Sequence, residues 1–179
     1  NSGGVSASAS AKMWQAIKNL KAKKPVVVSM GGMAASGGYY MSSIADWIVA
    51  ENTTITGSIG IFGMFPDISQ LLTEKLGVKF DLVKTNLHSD FGTRSRPISD
   101  SEMAILNKYI DHGYNQFLSR VSEGRKMKKE RVAELAQCRV GLGQDAFKNK
   151  LVDEIGGLDK AVAKAAKLAK LDAHHTVSY

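Results

Sequence analysis

An α/β fold of short strands alternating with helices is predicted by three features of this 179-residue sequence. Brief β-branched or aromatic runs at 26–30, 47–50 and 80–83 alternate with segments whose apolar residues recur at helical spacing. Glycine pairs and prolines punctuate the junctions, as at Pro25, Gly31-Gly32 and Gly156-Gly157. Composition agrees: 44% hydrophobic and 23% charged residues suit a globular chain rather than a disordered one, and the length suits one domain.

Taken in order, Asn1-Ser2-Gly3-Gly4 reads as a turn and 5–24 as a helix, with Met13, Ile17 and Leu20 on one face and lysines opposite. Pro25 stops this helix and opens a strand at 26–30. Gly31-Gly32 end that run, and helical spacing resumes from 35 to 45. Trp47-Ile48-Val49-Ala50 reads as a strand, and 53–63, rich in Thr and Gly, as turn plus strand. A helix at 68–76 is closed by Gly77, and the next strand falls at 80–83. Residues 86–97 are polar and aperiodic, a surface loop of the kind that often carries function. Ser99-Asp100-Ser101-Glu102 matches a capping box and starts a helix, continued by Met103, Leu106, Ile110, Tyr114, Phe117 and Val121. A basic break at 124–129 leads to a helix at 130–137, a turn flanked by Gly141 and Gly143, and a helical turn at 144–148. The last helix is 158–171, and the tail 174–179 reads as extended or loose.

The net charge is +7, but the lysines fall on helix faces without interleaved aromatic residues, which favours a solvated exterior over nucleic-acid binding. A single cysteine, Cys138, excludes an internal disulfide, and no CxxC, HExxH or paired-carboxylate spacing supports a metal or glycosidase site. No run of about 18 apolar residues is present. Asn1 opens in mid-motif, so the chain is expected to be a fragment.

One hydroxyl stands out. In Met33-Ala34-Ala35-Ser36-Gly37-Gly38-Tyr39-Tyr40, Ser36 sits where a strand run gives way to a helix, with glycine following. A nucleophilic serine needs a sharply turned backbone and a nearby N–H for the developing oxyanion, and a helix N-terminus offers such donors. The other reading of the same residues is an N-cap serine in a glycine-rich turn. A base is also required. Among the four histidines only His88, near Asp90, lies in a candidate loop; His112 falls in a helix, and His174 and His175 in the tail.

The stretch Gly31-Gly32-Met33-Ala34-Ala35-Ser36-Gly37-Gly38-Tyr39-Tyr40 resembles the signal peptide peptidase A family. The likeness continues through Thr56-Gly57-Ser58-Ile59-Gly60, Gly143-Gln144-Asp145-Ala146 and Leu151-Val152-Asp153-Glu154-Ile155-Gly156. These are membrane-associated Ser–Lys peptidases with a Clp-protease/crotonase-like spiral of short strands and helices. The resemblance implies one peptidase domain over 1–179, with Ser36 as nucleophile and Ser58 as a supporting serine that orients the lysine. It assigns the oxyanion hole to the amides of Gly37 and of Gly3 or Gly4, although the proline usual before the latter pair is absent. It implies no metal or organic cofactor. The expected substrates are cleaved signal peptides and other apolar peptides, with Met33, Phe62, Met64 and Phe65 as candidate lining, core packing being the other and favoured reading of each.

The family's base is a neutral lysine, which must titrate near ~7–8 rather than ~10.4. In short members its position corresponds to Ser89 here, so the resemblance points to the carboxy-terminal half of a tandem enzyme whose other half supplies the lysine. Lys84 is the nearest internal substitute; its other reading is a solvated strand-end lysine. Cys138 and Lys150 stand where glycine is expected, and Gly141 where an aromatic residue is expected. The family implies a homo-oligomer, held at the outer face of a bacterial inner membrane through a segment outside this chain. Two rivals remain: an assembly domain of the same fold without activity, and a coenzyme A-dependent acyl-thioester enzyme.

Overall fold

The computed structural model describes residues 1–4, 6–172 and 176–178, so Val5 and the tail residues His174 and His175 lie outside the described residues. The chain divides into two compact units, 1–61 with 113–179, and 62–112.

The first unit holds two small sheets. In one, β1 (Val27–Met30), β3 (Trp47–Ala50) and β6 (Glu154–Ile155) run parallel in the order β1-β3-β6. In the other, β2 (Met33–Ala35) pairs in parallel with β4 (Ile55–Gly57), which pairs antiparallel with β5 (Val140–Leu142). Ser2 extends this second sheet through a parallel bridge to Ala34. The short β-branched runs at 27–30 and 47–50 are buried or half-buried, as strands covered by helices must be. The α/β class and the alternation of short elements are therefore as expected.

Helix α1 (Ala7–Lys21) forms where the periodicity predicted, but its buried face is different. Ser10 and Trp14 face the core, whereas Met13 and Leu20 are exposed. Trp14 is the bulkiest fully buried side chain, and Arg120 and Lys18 stack on its ring, so the indole sets the rotation of the helix. Lys18 also pairs with Glu123. Around Trp14 the core gathers Met30, Tyr39, Ile48, Ile59, Phe117, Val121, Val132 and Val152.

Helix α2 (Gly37–Ser42) follows β2 directly. Helix α3 (Asp100–Arg125) starts at the predicted capping box, with Ser99 N–H donating to Glu102 at 2.8 Å. Gly124 lets α3 approach the end of α2, since a Cβ there would lie 2.1 Å from the Ser43 carbonyl oxygen. Helices α4 (Lys129–Leu135), α5 (Gly143–Lys148) and α6 (Leu158–Leu168) complete the unit. Gly143 packs against the Glu51 carbonyl with no room for a side chain, which explains the glycine that opens α5.

In the second unit the 68–76 segment forms a π-type turn at Leu71–Lys75, and Gly77 follows in the left-handed region at φ +66°. The strand expected at 80–83 is not formed. These residues are exposed, with Val83 97% accessible, and they enter neither sheet. A β-branched run becomes a strand only where a neighbour accepts its ladder. No helix of the described residues is long and apolar enough to cross a membrane.

Candidate active site

Ser36 occupies the step between β2 and α2 with φ +52° and ψ −118°, a conformation that costs a non-glycine residue about 1–3 kcal/mol. It stands at the N-cap position, yet its hydroxyl makes no capping bond. The capping reading of the sequence therefore fails on geometry. The backbone holds the turn instead: Ser36 N–H donates to the Gly57 carbonyl at 3.0 Å, and Tyr40 N–H donates to the Ser36 carbonyl at 2.8 Å. Half-buried Ser36 is thus a hydroxyl on a strained, well-held bend.

Glycines frame it. A Cβ on Gly4 would fall 3.1 Å from Ser36 Cβ, 3.3 Å from Ser36 Oγ and 3.7 Å from the Gly37 nitrogen. Gly4 itself has φ +123°, so both its conformation and its surroundings favour glycine. Gly3 lies against Met33, whose sulfur would be 3.2 Å from a Cβ there. Gly38 has the Ser2 carbonyl 2.8 Å from its own Cβ position. The 1–4 segment is fixed alongside by Ser2 N–H donating to Met33 O at 2.8 Å and Ala35 N–H donating to Ser2 O at 2.9 Å. Gly3, Gly4 and Gly37 therefore share one corner with Ser36.

Ser58 joins the same corner through strand register. Ala35 pairs with Gly57, so Ser36 and Ser58 are the next residues on two hydrogen-bonded parallel strands. Ser58 is also left-handed, at φ +49°, and its N–H donates to Arg139 O at 2.8 Å.

Other candidates lie in the second unit and serve each other. Asp90 accepts two hydrogen bonds from Arg96, at 2.9 and 3.0 Å, and pairs with Lys84 at 2.7 Å. Arg96 also grips buried Glu102, at 2.8 Å through two nitrogens. Hydrogen bonds from Arg96 and then Lys84 hold the Asp90 carboxyl down at about 2. Arg96 and the Ser99 N–H hold Glu102 well below the usual carboxylate range. A His88–Asp90 dyad is thus not formed: Asp90 is committed to two cations, and His88 Nδ1 is buried with no hydrogen-bond partner. Lys84 is thus engaged by the Asp90 carboxylate. Ser89 is exposed and donates to Asn86 O at 3.1 Å, and His112 is exposed on α3. Phe62, Met64 and Phe65, for which core packing was one reading, are exposed instead. Met64 and Phe65 line a hollow of about 210 Å³ with Ile68 and Ile98.

Periodicity and spacing missed what lies behind α2. Buried Tyr39 donates from its phenol to Leu151 O at 2.9 Å. Arg125 donates twice to Asp153, at 2.5 and 3.0 Å, and Asp153 accepts the Ile48 N–H at 2.8 Å. A tyrosine three residues past the serine and an aspartate in Leu151-Val152-Asp153 were both visible, but their meeting is a non-local fact. The departures also have a geometry: Cys138 and Lys150 are left-handed at φ +57° and +61°. Gly141 borders a cleft of about 280 Å³ with Thr56, Leu135, Val140 and Leu151, and a Cβ there would meet nothing within 4 Å.

What the fold and this corner define is an α/β chain with a strained serine at a glycine-framed strand-to-helix bend. Residues 18–172 match the model of peptidase family S49, and the chain belongs to that family. It is 51% identical over 172 residues to Protease 4 of Haemophilus influenzae, covering 94% of this chain and 27% of that protein. It is 37% identical over 179 residues to the chloroplastic serine protease SPPA of Arabidopsis thaliana, covering 99% of this chain and 26% of that protein. It is 35% identical over 178 residues to a putative signal peptide peptidase SppA of Enterococcus faecium, covering 99% of this chain and 51% of that protein. The chain thus spans about a quarter of the first two relatives. Among solved structures, an enoyl-CoA hydratase/isomerase family protein from Hyphomonas neptunium aligns with TM-score 0.45 and 16% identity, over 89% of this chain and 42% of that one.

Proposed function

We propose that this chain is the serine-bearing part of a peptidase in which Ser36 is the nucleophile. The observation that carries this reading is the strained Ser36 turn, its hydroxyl free of a capping duty and set against Gly4. Ser36 Oγ attacks the scissile carbonyl while a neutral lysine takes its proton. The amides of Gly37 and of Gly3 or Gly4 receive the oxyanion. The lysine ammonium then protonates the leaving amine, and water releases the acyl group by the reverse relay. Ser58, on the neighbouring strand, orients the lysine.

The lysine comes from outside this chain, from the other half of a tandem protein. Lys84 is engaged by Asp90, and the position the resemblance singles out is Ser89. Cleaved signal peptides and other apolar peptides are the substrates, consistent with the name of the Enterococcus relative. Assembly is homo-oligomeric, and membrane association, on the extracytoplasmic side, is through a segment not in this chain. In the intact protein Ser36→Ala is expected to abolish both peptide hydrolysis and labelling by a fluorophosphonate, with the thermal midpoint unchanged. Persistent labelling would reject the assignment, and an unlabelled wild-type protein would favour an assembly domain of the same fold. Because the base must be neutral, activity should rise with pH through about 7–8. A rate that falls over that range would remove the lysine.

A further inference from the structure

We propose that Tyr39 is a positioning residue for Ser36, and that its phenol is the bolt that keeps the nucleophile turn in its strained form. This rests on Ser36 being the nucleophile and adds how its geometry is maintained. A backbone at φ +52° and ψ −118° persists in a serine only when its surroundings over-determine it. The first turn of α2 is the part that must not move, and helix α2, at six residues, is too short to hold itself.

Three contacts fix that turn from different sides. Gly38 is pressed against the Ser2 carbonyl. Ser42 Oγ donates to Gly38 O at 2.7 Å, inside the same helix. Tyr39 reaches through the core to a hydrogen-bond acceptor: its ring is fully buried, and its hydroxyl donates to Leu151 O at 2.9 Å. The acceptor is itself anchored. Arg125 donates to Lys150 O at 3.2 Å and to the Asp153 carboxylate, while Asp153 N–H donates to Ile48 O at 2.9 Å. The phenol thereby ties the serine turn to β3 and to the end of α3. Burial pushes its pKa up, so the hydroxyl remains a donor at any working pH.

Tyr40 supplies the internal control. It is the next residue on the same helix and is also buried, yet its hydroxyl has no hydrogen-bond partner. Tyr39→Phe and Tyr40→Phe remove the same atom from two adjacent buried rings, and only the first loses a bond. The experiment compares both variants with wild type and with Ser36→Ala in the intact protein. It measures the second-order rate of fluorophosphonate labelling, kcat and KM on an apolar peptide, and the thermal midpoint. For Tyr39→Phe the labelling rate and kcat should fall about tenfold or more with KM unchanged, at a temperature where the variant is fully folded. Tyr40→Phe should label at the wild-type rate. If Tyr39→Phe labels as wild type, or slows only in proportion to its unfolded fraction, the hydroxyl is merely structural and the inference falls. If Ser36→Ala still labels, the nucleophile assignment falls as well, and the two failures are thus distinguished.

Discussion

At the scale of single residues, the left-handed positions fall in two groups. Ser36 and Ser58 carry φ of +52° and +49° at the corner where the proposed chemistry sits. Cys138 and Lys150 carry φ of +57° and +61° where the family resemblance leads one to expect glycine. No hydrogen bond by which either side chain offsets its strained backbone is seen among the described residues. Cys138→Gly and Lys150→Gly should therefore each stabilise the protein by about 1 kcal/mol, read as a higher urea midpoint with unchanged slope. Gly60 leaves the space that the Cys138 thiol occupies, since a Cβ on Gly60 would lie only 2.1 Å from Sγ. Gly4→Ala should do the opposite. It places a methyl group against Ser36 Oγ at a φ of +123°, so labelling of Ser36 should drop at least tenfold, alongside a destabilisation of about 1 kcal/mol or more. The sharp step at Ser36 was legible in the glycines that follow it, whereas β2 was not, since the strand run read from the sequence ends at Met30. The strained φ of Ser36 was not legible, since an N-cap serine carries the same letters.

At the scale of elements, what was legible followed the range of the forces. Helix α3 could be read from the capping box and its apolar stripe, because both act within a turn or two. Strands β2, β5 and β6 were missed, since two or three residues carry no period and exist only through pairing, β2 and β5 with β4 and β6 with β3. The run at 80–83 failed for the complementary reason, having strand-like residues but no partner. The loop at 86–97 was expected to be functional, and its clearest physical feature is Arg96 between Asp90 and Glu102. Both carboxyls are depressed, so they stabilise the folded unit above their ordinary pKa near 4 and lose that contribution as pH falls, Asp90 through about 2 and Glu102 also well below the usual range. Pulsed hydrogen exchange over 86–106 should show protection that is constant above pH ~4 and disappears between there and about 2. In Arg96→Leu the folded pKa values rise, so protection should be lost at higher pH.

At the scale of the molecule, the two units present different surfaces. The first buries its large side chains around Trp14, Tyr39 and Ile48. The second leaves Phe62, Met64, Val83 and Leu87 at 81%, 82%, 97% and 74% exposure. Side chains this exposed add little to the packing of the unit that carries them. The Haemophilus and Arabidopsis relatives are about four times as long as the stretch they share with this chain, and in a tandem protein of that length the additional protein can cover these side chains. If the lysine that Ser36 needs comes from that additional protein, loss of the apolar contacts and loss of activity should go together. The double variant Met64→Lys, Val83→Lys in the intact protein tests this. Its thermal midpoint should stay within the small range of surface substitutions, because neither side chain is packed. Its sedimentation coefficient should fall, and peptide hydrolysis should drop by 10²–10⁴, roughly the contribution of a general base. Unchanged sedimentation with full activity would mean that residues 62–87 are not where the other half of a tandem protein docks.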